Sequence, residues 1–313
     1  FRAFVFDSHD LDSTSNYISN TFTVNNVAPS VSGVGLNSGS DITLSNPGGN
    51  TNVSVTATVT DNNSCEDVAA GNVNTSIYHA LASGGYSSCD DNLEDDTDSC
   101  YALESCTLDG GSCTGSTDAA ETYTCTIAVV YHADPTEGAG TSDSPWWDHE
   151  WYGTVYAEDD TGLSDDTEVG TPVEMDDYLA LNVTATISYG TLNAGQDSED
   201  IANYPETTVS AYGNVGLDSS LSGVAMCDDW PTCVGNTIAV GQQEHAFATF
   251  VYGAGTDLTG VATEYELNCA KSTSAGQGSE IIYWGIEIPA LTPPGTYQGQ
   301  NTIDAVKGET VDW

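Results

Sequence analysis

Carboxylates are the chemistry-bearing groups that this sequence supplies in quantity. The densest run is Asp90-Asp91-Asn92-Leu93-Glu94-Asp95-Asp96-Thr97-Asp98. Oxygen ligands at such short spacing can wrap a hard divalent cation from a single loop. Asp91, Asn92, Asp95, Asp96 and Asp98 are therefore candidate calcium ligands. The run lacks the central Gly and distal Glu of an EF-hand, so the competing reading is a solvated acidic loop. Glu158-Asp159-Asp160, followed by Asp165-Asp166, offers Asp159 and Asp160 as a second candidate. Asp61-Asn62-Asn63 lies at another strand end. Carboxylates at domain ends can share an ion, although Asp and Asn favour turns on their own account.

The stretch Trp146-Trp147-Asp148-His149-Glu150-Trp151-Tyr152 sets carboxylates beside aromatics, as sugar-processing sites do. Strand alternation predicts Trp147, His149 and Trp151 on one face, with Asp148 and Glu150 on the other. That reading makes the stretch a strand with its aromatics turned inward. The alternative makes Trp146, Trp147 and Trp151 a contact surface for a glycan or a partner. No GxSxG elbow, Walker loop, HExxH or dinucleotide fingerprint occurs. His79, His132, His149 and His245 are scattered along the chain. No catalytic residue is assigned, and a non-enzymatic protein is expected.

The elements that must carry these residues are strands. Val53, Val55, Ala57 and Val59 alternate in Asn52–Thr60, and Tyr123, Cys125, Ile127, Val129 and Tyr131 alternate in Glu121–Tyr131. The run IIYWGIEI within Glu280–Pro289 reads as a further strand. No amphipathic helix is evident. The predicted class is all-β, as tandem sandwiches with a Cys-rich insertion.

Nine cysteines lie in two groups, with no CxxC pair. Zinc is poorly supported, and disulfides in an oxidising compartment fit better. Cys65, Cys89, Cys100, Cys106, Cys113 and Cys125 form the first group. Cys227 and Cys233 can close a small loop, which leaves Cys269 unpaired. The other possibility pairs Cys269 with one of those two. A free thiol is then available to cross-link subunits or lies buried and reduced.

Asp and Glu number 47 against 3 Lys and Arg (Arg2, Lys271 and Lys307), for a formal charge of -44. Nucleic-acid binding and docking on an anionic membrane need a basic patch that this chain lacks. The surface repels itself, so salt or divalent cations should aid packing. No apolar run approaches the roughly 18 residues of a membrane-spanning helix. The chain begins inside an apparent strand without a signal peptide, as expected of a processed protein or a fragment. Asn52, Asn62, Asn74 and Asn182 head Asn-x-Ser/Thr sequons and are candidate glycosylation sites.

A faint internal repeat places the boundaries. FVFDSHDLDS from Phe4 matches VYAEDDTGLS from Val155, and each leads into a second strand. Residues 1–27 therefore read as the terminal strand pair of an incomplete sandwich, or as a hairpin donated to a neighbour. Residues 28–176 form a middle domain with a disulfide-rich insertion at 83–118, and residues 177–313 a last domain.

The linker NNVAPSV, the strand NVSVTATVTD and the turn AEDDTGLS resemble tandem immunoglobulin-like repeats of prokaryotic surface proteins. TATISYGTL, TVSAYGNVGLDSSLSG and IYWGIEIPALTPPGTYQGQNTI resemble sandwich modules of archaeal and uncultured-bacterial surface-layer and appendage proteins. Tyr123-Thr124-Cys125 is similar to the Tyr-x-Cys of antibody-type domains, but no Trp stands where that pattern needs one. The resemblance implies a structural subunit of an extracellular filament or surface layer; copies of itself are the expected partners, and calcium, read from the acidic runs, is the expected cation. The alternative the resemblance implies is an adhesin or glycan-binding stalk on the cell surface.

Overall fold

The computed structural model describes residues 21–79, 89, 97–184, 186–199 and 204–313. The protein is all-β. The first seven strands are β1 (Ser30–Leu36), β2 (Asn50–Thr60), β3 (Val68–His79), β4 (Cys100–Leu108), β5 (Ala120–Val130), β6 (Trp151–Asp159) and β7 (Ser164–Glu168). They pair antiparallel in the order β1-β2-β5-β4-β3-β6-β7. β2 and β5 bring their alternating apolar residues opposite one another, with Val53 against Ile127, Val55 against Cys125 and Ala57 against Tyr123. All six are buried. Each large aliphatic side chain removed from water contributes up to about 1.5–3 kcal/mol.

β4 turns this one ladder into two layers. Its first part pairs with β3, through Tyr101 opposite Ile77. Its last part, Cys106–Leu108, pairs with β5. Between them Leu103 takes a positive φ of 53° and the register shifts, which bends the strand from one layer to the other. The outer strands then meet: Asp165 Oδ2 accepts from the Val31 amide at 2.8 Å, and Thr167 Oγ1 donates to the Val31 carbonyl at 3.0 Å. This corrects the reading of residues 83–118 as an insertion. Residues 100–108 are a sandwich strand, hidden in the sequence because only Tyr101 of CYALESCTL is buried.

The remaining strands are β8 (Leu181–Val183), β9 (Glu206–Ala211), β10 (Leu217–Gly223), β11 (Met226–Cys227), β12 (Thr237–Ile238), β13 (Gln243–Ala246), β14 (Thr256–Asp257), β15 (Thr263–Cys269), β16 (Ser279–Ile286) and β17 (Asn301–Lys307). A five-stranded sheet, β14-β13-β16-β9-β8, and a three-stranded sheet, β15-β10-β17, enclose a second core, and β11-β12 forms a small ribbon. The run IIYWGIEI supplies central strand β16, with Ile282, Trp284 and Ile286 buried. The first core ends at Met175 and the second begins at Tyr189.

Four disulfides brace the chain: Cys65–Cys113, Cys89–Cys100, Cys106–Cys125 and Cys227–Cys233. Cys269 is free and buried, and burial followed by the charge of Glu280 pushes its thiol up to about 11. That placement argues against a cross-link between subunits through this residue. Among the described residues no helix is long and apolar enough to cross a membrane.

Candidate functional site

The most organised polar site lies where the two sandwiches meet. The first sandwich contributes the ends of several elements. His79 closes β3, Asp98 sits in the turn before β4, His132 and Asp134 follow β5, and Trp146 and His149 precede β6. The backbone fixes them together. The Asp134 amide donates to the Asp98 carbonyl at 2.7 Å, and the His79 amide to the Ser99 carbonyl at 3.1 Å. Trp151, fully buried, donates its indole N–H to the Asp134 carbonyl at 3.0 Å.

The second sandwich inserts the turn after β15 into this frame. Lys271, 4% exposed, places Nζ 2.8 Å from Asp134 Oδ1 and 3.6 Å from Asp98 Oδ1. Ser274 donates to Asp98 Oδ2 from both its amide and its hydroxyl, each at 2.9 Å. The Trp146 ring lies 5.4 Å from the same ammonium, within cation–π range. Burial works against the Asp98 charge, but His132, Lys271 and Ser274 outweigh it and hold that carboxyl well below the usual range.

Histidines complete the shell. His132 Nδ1 is 2.7 Å from Asp98 Oδ1, and His79 Nε2 is 3.1 Å from Asp134 Oδ2. His79 and His149 face each other Nδ1 to Nδ1 at 3.1 Å. One of those nitrogens must donate and the other accept, so both rings cannot be protonated. Burial, then the neighbouring His79, lowers the pKa of His149.

Further contacts extend the seam. Lys307 pairs with Asp177 and lies 4.9 Å over the Trp313 ring. Tyr131 stacks on Tyr212 at 5.8 Å, and the Gly48 amide donates to the Tyr212 carbonyl at 3.1 Å. Asn214 accepts from the Tyr178 amide at 2.6 Å and donates to the Asp176 carbonyl at 3.1 Å. Two of the three basic residues in a chain of net charge -44 thus lie on this seam. That scarcity was the available signal for Lys271, which reading the sequence passed over.

The structure distributes the sequence-predicted residues differently. Asp91, Asn92, Asp95 and Asp96 lie outside the described residues, as do residues 1–20 of the predicted strand pair. Residues 21–27 run without strand pairing along the acidic end of the first sandwich. Asp98 serves as the anchor just described. Asp159 accepts from the Thr161 amide, the Thr161 hydroxyl and the Leu163 amide through Oδ1, and from Asn26 through Oδ2. Asn63 accepts from the Val27 amide and donates to the Asn25 carbonyl. The linker is therefore tied to the acidic end by direct hydrogen bonds.

That end retains features suited to a cation. The Asp61 carboxylate is buried, and its Oδ2 has no hydrogen-bond partner among the described residues. Burial, then Asp160, Asp61 and Asp159, push Asp67 up. No three of these carboxylates converge within 4.8 Å, whereas Asp218, Glu266 and Glu309 do.

The aromatic stretch needs correction too. β6 starts only at Trp151, and residues 146–149 form turns, so strand alternation does not apply there. Trp151 is fully buried and offers no contact surface, while Trp146 and Trp147 are half-buried. Of the sequon asparagines, Asn52, Asn62 and Asn182 are exposed, and Asn74 is half-buried in β3 between two neighbouring strands.

The fold and site define a class: two disulfide-braced β-sandwiches joined through a buried charged seam. No family model matches the chain, and no curated protein matches it. Solved structures with a loose likeness include three from pili, fimbriae and adhesins. The chaperone–tip adhesion subunit pre-assembly complex CsuC–CsuE from the archaic chaperone-usher Csu pili of Acinetobacter baumannii matches at 11% identity and a TM-score of 0.29, over 85% of this chain and 97% of that one. The chaperone–tip adhesin complex of CFA/I fimbriae gives 10% identity and 0.25, over 84% and 77%. The Yersinia pseudotuberculosis adhesin InvE gives 14% and 0.23, over 88% and 58%. At these scores the likenesses fix neither role nor partner.

Proposed function

We propose that this chain is a non-enzymatic structural subunit of an extracellular assembly, a filament or surface layer built from copies of itself. The observation that supports the reading is the seam. A buried Lys271 held by Asp134 and Asp98 joins two sandwiches more firmly than a flexible linker would. A rigid double module is what a repeating array needs. The four disulfides suit an oxidising compartment outside the cytoplasm. β8 and β14 are the outer strands of one sheet, and β15 and β17 of another, and such edges are natural surfaces for strand-to-strand assembly. Calcium ions drawn to the carboxylates of the acidic end, without a converged ligand set there, would offset repulsion between adjacent modules.

One feature favours an adhesin or glycan-binding stalk as the second reading. A cleft of about 230 Å³ opens in the second sandwich, lined by Val183, Ile187, Tyr189, Met226, Gln300 and Asn301. Its mix of apolar and amide groups suits a small polar ligand. Electron microscopy of the purified native protein, with calcium and again after chelation, separates the readings. Ordered sheets or filaments support the structural role, and their loosening on chelation supports the cation. Dispersed monomers in both conditions would overturn self-assembly in favour of the stalk.

A further inference from the structure

We propose that Lys271 and Asp134 condense into an intramolecular amide, a covalent weld between the two sandwiches. The inference rests on the seam geometry and not on the assembly role. Lys271 Nζ and Asp134 Oδ1 stand 2.8 Å apart, in a site where both residues are at least 95% buried. Both backbones are pinned. Asp134 is held through its amide by Asp98 and through its carbonyl by Trp151, and the Lys271 amide donates to the Asp312 carbonyl at 2.8 Å. The amine and the carboxyl carbon are thereby kept in near-attack contact.

Every proton in the reaction has a place to go. The Lys271 ammonium passes a proton along the 2.8 Å contact to Asp134 Oδ1, leaving a neutral amine beside a neutral acid. Nζ then attacks Cγ. Negative charge develops on Oδ2, where His79 Nε2 lies 3.1 Å away. The facing nitrogens of His79 and His149 permit this role. If His149 donates from Nδ1, then His79 accepts on Nδ1 and carries its hydrogen on Nε2. The surplus proton on Nζ has Asp98 Oδ1, 3.6 Å away, as a relay to the departing oxygen. As the carbonyl reforms on Oδ2, the Cγ–Oδ1 bond breaks and one water leaves. An ammonium and a carboxylate become an amide and water, with no oxidant, reductant or cofactor.

The energetics favour closure. Condensation of separate amines and acids loses to bulk water. Groups held in reactive register gain effective molarities of about 10⁵–10⁸ M. Ion pairing in a dry site carries a desolvation cost for both partners, which the neutral amide removes. Two carboxylates contend for one ammonium here. After closure Asp98 retains His132 and Ser274, and the new amide N–H faces its Oδ1.

The test is the intact mass of the whole protein, purified from its native source or a secreting host, then reduced and denatured. The expected mass lies one water below that of the polypeptide with its known modifications. Exhaustive acetylation of the denatured chain gives a second readout. This sequence holds two lysines, so within it the bond leaves Lys307 as the lysine still open to acetylation. A peptide joining the segments around Asp134 and Lys271 places the link, and Asp134→Ala restores both the water and the amine. Asp134→Asn should still close, with loss of ammonia. A wild-type mass at the full sequence value, with Lys271 acetylated, overturns the proposal without requiring any variant to fold. Failure to assemble under the microscope would leave this mass unchanged, so the two claims fail separately.

Discussion

Replacing Lys271 by Met tests how the sandwiches are held. Met keeps the apolar stem and the volume but removes the ammonium. Asp134 then retains His79, and Asp98 retains His132 and both bonds from Ser274. Breaking a buried pair from one side costs about 3–5 kcal/mol. The surviving partners place this case near about 3 kcal/mol, and loss of the Trp146 contact adds up to about 1 kcal/mol. The assay is guanidinium unfolding of the full chain followed by circular dichroism, with limited proteolysis at the 176–180 crossing as a local readout. Lys271→Met should lower the midpoint and expose that crossing. Adding Asp134→Asn to the variant removes an orphaned charge and should recover about 1–2 kcal/mol. Midpoints within about 0.5 kcal/mol of wild type, or a double variant worse than the sum of its singles, would refute the reasoning.

Other expectations follow from the same structure. Gly278→Ala would set a methyl 1.7 Å from the Ala270 carbonyl oxygen, so it should displace the Lys271 turn and lower the melting temperature while leaving the first sandwich intact, as read by hydrogen exchange. His245 is buried against Tyr265 and Trp284, and burial lowers its pKa to about 4. Its neutral form is favoured in the fold, so its contribution is complete above pH ~6.5 and is lost as the pH falls from there towards about 4. The second sandwich should lose up to about 3 kcal/mol over that window, and His245→Leu should flatten the pH profile of its unfolding. Asp98 has its pKa lowered, so its stabilisation persists above pH ~3.9 and fails only in stronger acid, which a pH series of denaturant unfolding of wild type against Asp98→Asn would show. Removing Cys65–Cys113, which spans 48 residues, should cost about 4 kcal/mol by the chain-entropy argument and is measured as a fall in the calorimetric transition of the first sandwich.

Where burial follows a period of two, the fold was legible in the residues. Val53 to Val59 and Tyr123 to Val129 announce β2 and β5 because one face is apolar and the other is not. β4 stayed hidden because it bends midway and pairs in two layers, so its residues never show one sustained face. The seam was less legible. Lys271 lies 137 residues from Asp134 and 176 separate Ser274 from Asp98, distances that no local pattern encodes. What the sequence does carry is the rarity of its cations. With so few bases among so many acids, a lysine in an apolar setting such as Cys269-Ala270-Lys271 marks a place where a carboxylate has been taken out of water.

The seam also carries its own optical reporter. Trp146 lies over Lys271 and 6.5 Å from Trp313, and Trp151 sits 5.5 Å from His79. Trp284 lies apart, inside the second core. Trp146 and Trp313, both half-buried, thus flank the lysines of the seam, whereas Trp151 and Trp284 belong to the two cores. Separation of the sandwiches would wet the first group and leave the other dry, so the emission spectrum would shift to the red before either core unfolds. Time-resolved fluorescence could then follow the joint between the modules without any added dye.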